Sequence, residues 1–413
     1  MDKALRHIAL VTTTRADWGI LAPLAQALRA DTGVHLSIVA GGAHLSSRHG
    51  MTADEIDAGG FAIAYRVPLP LAEDSPRAAG HALGAACAGF ADAFAALAPD
   101  LVVVLGDRFE ILGAAAAALM ARIPLAHLHG GEASEGQIDE QVRHAVTKMA
   151  HVHFPAAAAY ADRIASMGED PARIFPVGSL AVETVRTQPR PAWAPIAAEL
   201  GLDPARDVLA VTYHPVTLAA DHGAAEALAL HEALLRFSDM QLVISGVNAD
   251  PGSHAVGEIL QRIAQTHPAA VMVASLGHRR YLALVEAAAA VVGNSSSGII
   301  EAPALGTPTV NIGARQNGRL RAASVIDCAP TPDAIAGAIA QAVSPLAQVR
   351  AKRCETPYAA QGTCANIVAT LKRIPLDGLL TKTVHLAGAG AGVGAGRGTS
   401  QHTTPGHMLA GAR

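Results

Sequence analysis

Short, largely apolar runs recur along the chain, each followed by a longer segment whose apolar residues keep helical spacing. In the first half the runs fall at 7–12, 34–39, 61–67, 101–105, 124–128, 151–154 and 173–177. Helical segments are predicted between them at 18–30, 77–97, 111–121, 138–150 and 156–167. A run such as Leu101–Leu105, apolar at every position, suits a parallel strand covered on both faces. The pattern restarts after 188–195, where Pro189, Pro191 and Pro195 mark a linker. Strands at 208–212, 241–244, 270–274, 290–292 and 308–312 then alternate with helices at 224–237, 254–266, 279–289, a segment bearing Glu301, and 332–343. A last helix is predicted at 363–372. This alternation predicts an α/β chain of two Rossmann-like, doubly wound parallel-sheet domains facing one another across a cleft. The expected divisions are a first domain at 1–187, a linker at 188–206 and a second domain at 207–355. A helix at 356–374 is expected to cross back to the first domain, followed by a disordered Gly/Ala-rich tail at 375–413.

Composition narrows the class further. The 413 residues allow two domains of about 150–200 residues each. A hydrophobic fraction of 51% with only 3% aromatic residues favours alanine-rich helices packed closely on sheets. The formal net charge of −4 and the lack of a basic tract argue against a nucleic-acid partner. Cys87, Cys328, Cys354 and Cys364 lack CxxC spacing, so a reduced, cytoplasmic chain is expected rather than a disulfide framework or zinc site. The N-terminus enters a strand without a signal-peptide apolar core. No apolar run free of glycine or charge is long enough for a bilayer, so no membrane partner is expected.

Polar residues gather where the apolar strands end, the edge at which open α/β sheets bind ligands. Gly106-Asp107-Arg108-Phe109-Glu110 follows 101–105, and His129-Gly130-Gly131-Glu132 follows 124–128. The next helix carries Asp139, Glu140, Arg143 and His144. Its i,i+4 pairs, Asp139/Arg143 and Glu140/His144, would alone read as ion pairs on a solvated face. Their convergence with the strand-end acids, histidines and arginines is what marks a site. His127, His129, Asp107 and Asp139 carry metal-ligating groups, and the i,i+2 spacing puts both histidines on one strand face. Proton transfer suits the same groups, and neither a metal ion nor another cofactor is expected. Arg15, after Thr12-Thr13-Thr14, is either an exposed helix-start arginine or a bidentate donor to a diphosphate. Asp17 reads as a helix cap.

In the second half His214 and Arg315 stand at strand ends, where structural and ligand roles are equally open. Gly293-Asn294-Ser295-Ser296-Ser297-Gly298 puts small hydroxyl residues at a helix N-terminus, as plain caps or as an anion site. Glu301, one turn on, would repel phosphate but accept hydrogen bonds from ribose hydroxyls. Asn248, close to Asp250-Pro251-Gly252, is most simply part of a turn.

These motifs, in order, resemble the hydrolysing UDP-N-acetylglucosamine 2-epimerases of bacterial sialic and nonulosonic acid pathways. The resemblance runs from about 6 to 372. It is carried by Thr14-Arg15-Ala16-Asp17, the Gly106 to Glu110 motif, the stretch from His127 to Lys148, and Tyr213-His214-Pro215-Val216-Thr217. The Gly293 to Gly298 turn with Glu301, and Gly306-Thr307-Pro308 with Arg315-Gln316, complete it. It implies a GT-B-like architecture, a UDP-sugar partner, and a homodimer or homotetramer. The implied reaction converts UDP-N-acetylglucosamine and water to N-acetylmannosamine and UDP, through elimination to a 2-acetamidoglucal and rehydration. UDP-N,N′-diacetylbacillosamine is the alternative substrate, and a GT-B glycosyltransferase the alternative of another class. Arg15-Ala16-Asp17 stands where non-hydrolysing relatives carry Arg-Pro-Glu and a nearby lysine, which favours the hydrolysing branch.

By this resemblance Arg15, Arg108, His214, Ser295, Ser296, Glu301 and Arg315 hold UDP, with Asn248 and Ser275 lining its pocket. Asp107, Asp139 and Glu140 are the implied acid/base carboxylates, His129 and His214 are counted with them, and Glu132, Arg143 and His144 support them. Some relatives carry glutamate at the position of His129. The residue types suit the chemistry: deprotonating C2 needs a positioned base, and reprotonation from the opposite face needs a second proton carrier.

Overall fold

A computed structural model describes residues 5–47, 50–73, 75–247 and 252–385. The first sheet holds β1 Arg6–Thr12, β2 Val34–Gly41, β3 Ile63–Val67, β4 Leu101–Leu105, β5 Leu125–Leu128 and β6 Val152–Phe154. The second holds β7 Val208–Thr212, β8 Gln241–Ser245, β9 Ala270–Val273, β10 Ala290–Gly293, β11 Thr309–Ile312 and β12 Val325–Cys328. Both are six-stranded and parallel, in the orders β3-β2-β1-β4-β5-β6 and β12-β11-β10-β7-β8-β9. Numbered from its own first strand, each sheet therefore runs 3-2-1-4-5-6, the doubly wound order of a Rossmann domain. β4 and β7 are buried at every position, as their unbroken apolar sequences require.

Helices cover both faces of each sheet. Leu21, Leu24 and Leu28 of helix Arg15–Ala30 pack on one side of the first sheet; Phe90, Phe94 and Ala114 pack on the other. Helix Pro76–Leu97 is long and apolar enough by composition to cross a bilayer, although Arg77, Asp92 and three glycines interrupt it. Here it packs against helix Phe109–Met120 and β3. Gly113 permits that approach, because a Cβ there would stand 2.7 Å from that of Ala86.

Four sequence expectations change. Residues 173–177 form no strand: a 3-10 turn at Pro171–Arg173 leads to a single bridge between Ile174 and His153. The Phe175 and Val177 amides still donate to the His153 and Pro155 carbonyls, but Pro155, lacking an N–H, cannot return a bond and the ladder stops. β12 was not anticipated, because Asp327 interrupts a short, partly exposed edge strand. The proline-marked linker contains helix Trp193–Glu199, which accommodates Pro195 in its first turn. The start of the expected tail is packed. Leu379 joins the first sheet's core, and Lys382 Nζ lies 2.7 Å from the buried Glu169 Oε2. Residues 386–413, the remainder of that expectation, lie outside the described residues. Just before this segment, helix Thr363–Arg373 packs Ile367 and Leu371 into the first domain's core.

In each sheet the strand order reverses between the first and fourth strands, so the loops after β1 and β4, and after β7 and β10, open the crevices.

Candidate active site

In the first domain the strand-end loops are held by charge. Thr14 caps helix Arg15–Ala30, its hydroxyl accepting from the Asp17 amide at 3.3 Å. Asp17 Oδ2 accepts from the Thr13 and Thr14 amides at 3.2 and 3.1 Å. Asp17 thus closes a capping box rather than serving as the cap. Arg15 is aimed across the cleft, donating from Nη1 to the Ala274 carbonyl at 2.7 Å.

After β4, Gly106 takes φ 77° and turns Asp107 to the sheet's edge. Arg143, 1% exposed, pairs with Asp107 Oδ2. It also donates to Glu140 Oε2 at 2.7 Å, the Ser134 hydroxyl at 2.6 Å and the Glu132 carbonyl at 3.1 Å. One buried guanidinium so ties the strand-end aspartate to the next loop and helix, while Asp107 Oδ1 keeps no partner among the described residues. Arg108 is gripped at Nε and Nη2 by the wholly buried Glu110, both at 3.1 Å. Burial pushes the Glu110 carboxyl above the usual range.

Glu140 is fully engaged. Its Oε1 accepts from His144 Nε2 at 2.9 Å, and Oε2 takes Arg143 and the Ser134 amide. Burial opposes its ionisation, but the His144 bond, the amide and Arg143 outweigh it and bring the carboxyl to about 2. The His127/His129 pairing on one strand face does not occur: β5 ends at Leu128 and His129 takes φ 62°. His129 Nδ1 donates to Glu132 Oε1 at 2.8 Å. Glu132 Oε2 stands 3.1 Å from Arg319 Nη1 of the other domain. Despite burial, Arg319 and His129 hold the Glu132 carboxyl at about 2. His127 instead donates from Nε2 to the Gly106 carbonyl at 2.7 Å, and burial lowers its pKa to about 3.

The second domain joins its strand ends through backbone groups, an asparagine and an arginine. Gly293 has φ 142°, and a Cβ there would collide with the Thr212 carbonyl oxygen, so β10 can turn away only at glycine. The Asn294 side chain joins the two central strand ends, accepting from the His214 amide and donating to its carbonyl, both at 2.8 Å. Arg315 donates to the Pro215 and Asn294 carbonyls at 3.2 Å, and Gln316 to the latter at 2.8 Å. Ser295 caps helix Ser296–Leu305. Within that helix the buried Glu301 accepts from His278 Nε2 at 2.9 Å. Burial raises its pKa, but the His278 bond and charge prevail and leave it below the usual range.

The two edges enclose a cavity of about 260 Å³. Of the expected residues, Arg15, Asp107, Arg108, Asp139, His214, Ser275, Ser295, Ser296, Glu301 and Arg315 line it. His129, Glu132, Glu140, Arg143 and His144 do not; they form the network behind Asp107 and Ser134. Asn248 lies outside the described residues. Ser134, Gln137, His278, Tyr281 and Arg319 also line the cavity and were missed. His278 had a usable signal, since it follows a Ser-Leu-Gly turn at a strand's carboxyl end. Arg319 had none, because its partners belong to the other domain.

The site and strand order define a GT-B-like, two-domain α/β protein with an interdomain cleft. A family model described as UDP-N-acetylglucosamine 2-epimerase matches residues 26–372, and the chain belongs to that family of enzymes. It is 38% identical over 323 residues to the GDP/UDP-N,N′-diacetylbacillosamine 2-epimerase (hydrolyzing) of Campylobacter jejuni, covering 78% of this chain and 84% of that one. It is 34% identical over 372 residues to the UDP-N,N′-diacetylbacillosamine 2-epimerase (hydrolyzing) of Legionella pneumophila, covering 90% and 97%. The fold matches the crystal structure of UDP-GlcNAc 2-epimerase from Neisseria meningitidis bound to UDP-GlcNAc. The TM-score is 0.73 at 16% identity, over 88% of this chain and 99% of that one.

Proposed function

We propose that this chain is a hydrolysing 2-epimerase of UDP-linked 2-acetamido sugars, acting on UDP-N,N′-diacetylbacillosamine in preference to UDP-N-acetylglucosamine. The substrate preference, which reverses the order first expected, rests on the two hydrolysing relatives at 38% and 34% identity. It assigns the product to legionaminic-type rather than sialic-acid sugar synthesis. The reaction type rests on Asp107, whose Oδ2 is fixed by a buried arginine while Oδ1 remains available at the cavity.

In this reading the diphosphate lies between Arg15, Arg315 and the N-terminus of helix Ser296–Leu305, where orphan amides and the helix dipole favour anions. His214 and Arg108 complete that end, and Glu301, oriented by His278, faces the ribose hydroxyls. Asp107 takes the C2 proton as the C1–O bond breaks, and the electron pair leaves with UDP. Arg15 and Arg315 stabilise the departing charge. Water then adds its oxygen to C1 of the glycal while a protonated Asp139 delivers its proton to C2 from the opposite face, and the proton released by the water restores Asp139. Glu140 and His129 position the network and carry no proton to the sugar. Measured kcat/KM for the two UDP-sugars tests the preference: the diacetylated substrate is expected to win by at least about tenfold. A preference for UDP-N-acetylglucosamine would restore the first expectation.

A further inference from the structure

The loop after β11 returns across the cleft and inserts Arg319 into the first domain's network. Arg319 Nε donates to the Ala133 carbonyl at 3.1 Å, and Nη1 lies 3.1 Å from Glu132 Oε2. Glu132 is buried at 2% exposure and Arg319 is nearly so at 10%. A planar guanidinium fixed at two nitrogens has its third aimed in one direction before any ligand arrives. That third nitrogen, Nη2, has no acceptor among the described residues, and it is not one of the buried atoms sealed off without a partner. Arg319 lines the cavity together with Ser134, Gln137, Asp107 and Asp139. A preorganised charged donor facing a cavity lacks only the acceptor that a ligand brings.

We propose that Arg319 Nη2 donates to the carbonyl oxygen of the sugar's C2 acetamido group, seating C2 against Asp107 and Asp139. The assignment rests on the function proposed above, which makes C2 the carbon beside those carboxylates. Its charge is already matched by Glu132, so a neutral acyl oxygen fits Nη2 better than a phosphate or a second carboxylate. Because both anchors belong to the first domain and Arg319 to the second, the donor is in place only when the two domains meet as they do here.

Binding measurements test this without turnover. UDP-N-acetylglucosamine, UDP-glucose and UDP are titrated calorimetrically into Asp107→Asn protein and into the same protein carrying Arg319→Lys. Lysine keeps the charge facing Glu132 and removes the third arm. The amide-bearing ligand is expected to weaken about tenfold or more, while UDP-glucose and UDP stay within about twofold. Equal weakening of all three, or no weakening of the first, overturns the assignment. Should the lysine variant not fold, the ligand supplies the contrast. UDP-glucosamine, with an amine in place of the amide, is expected to bind Asp107→Asn at least about tenfold more weakly than UDP-N-acetylglucosamine, and equal affinity overturns the proposal. Failure of the functional reading is distinct: the wild-type protein would then release no UDP from any 2-acetamido sugar, whatever Arg319 binds.

Discussion

The two sheets share one strand order yet place different chemistry at their switch points. In the first domain the central strand ends are held by a buried ionic network around Arg143, joining Asp107, Glu132 and Glu140. In the second the equivalent loops are held by Asn294, carbonyls and a serine cap, with Glu301 as the buried carboxylate of its helix. The same topology thus carries an acid-rich edge tied by a buried arginine and an amide-rich edge with Arg315 beside it, which the proposed function uses for proton transfer and for the diphosphate. The difference lies in the residues after the strands rather than in the fold.

Removing the strand-end acid alone has the largest expected effect. Asp107→Asn should lower kcat by about 10²–10⁴-fold while UDP affinity changes little; calorimetry that found UDP binding lost as well would make Asp107 a ligand-holding group. Next is Arg143→Met, which leaves Asp107 without its buried partner and Glu140 with only His144 and the Ser134 amide. Denaturant titration should register a loss of about 3–5 kcal/mol, and a loss below about 1 kcal/mol would dismiss the network. A smaller effect comes with acid. The Glu140 carboxyl sits near 2 against an ordinary 4.5, so its stabilisation is complete above about 4.5 and fades as pH falls toward about 2. Unfolding midpoints measured from pH 6 down to 3 should fall less steeply in Glu140→Gln than in the wild type. In the other half, Glu301→Gln should weaken UDP binding about tenfold without changing kcat, as expected of a ligand-positioning group. Smallest of all, Asp57→Ala removes a pair whose side chains are both 49% exposed, and should change stability by less than about 1 kcal/mol.

How far the site was legible depends on the range of its contacts. Asp107, Arg15 and Ser295 could be read because each follows an apolar strand directly, and strand ends are where ligands bind. The His144–Glu140 pair, at 2.9 Å, follows from helical spacing. What spacing could not convey is which carboxylates are already occupied. Glu140 and His129 read as proton carriers, yet their partners, Arg143 and Glu132, hold them behind the cavity. Arg319 was invisible because it meets Glu132 only when two domains come together. The fold failed to read where local rules compete: Pro155 after β6, Asp327 within β12, and the leucines of 375–385 beside a Gly/Ala-rich stretch.

Proton exchange at C2 beside Asp107 is tested by an NMR time course in D2O with UDP-N,N′-diacetylbacillosamine. Free UDP is expected together with a 2-epimerised sugar carrying deuterium at C2. Release of UDP with the C2 proton retained would contradict it.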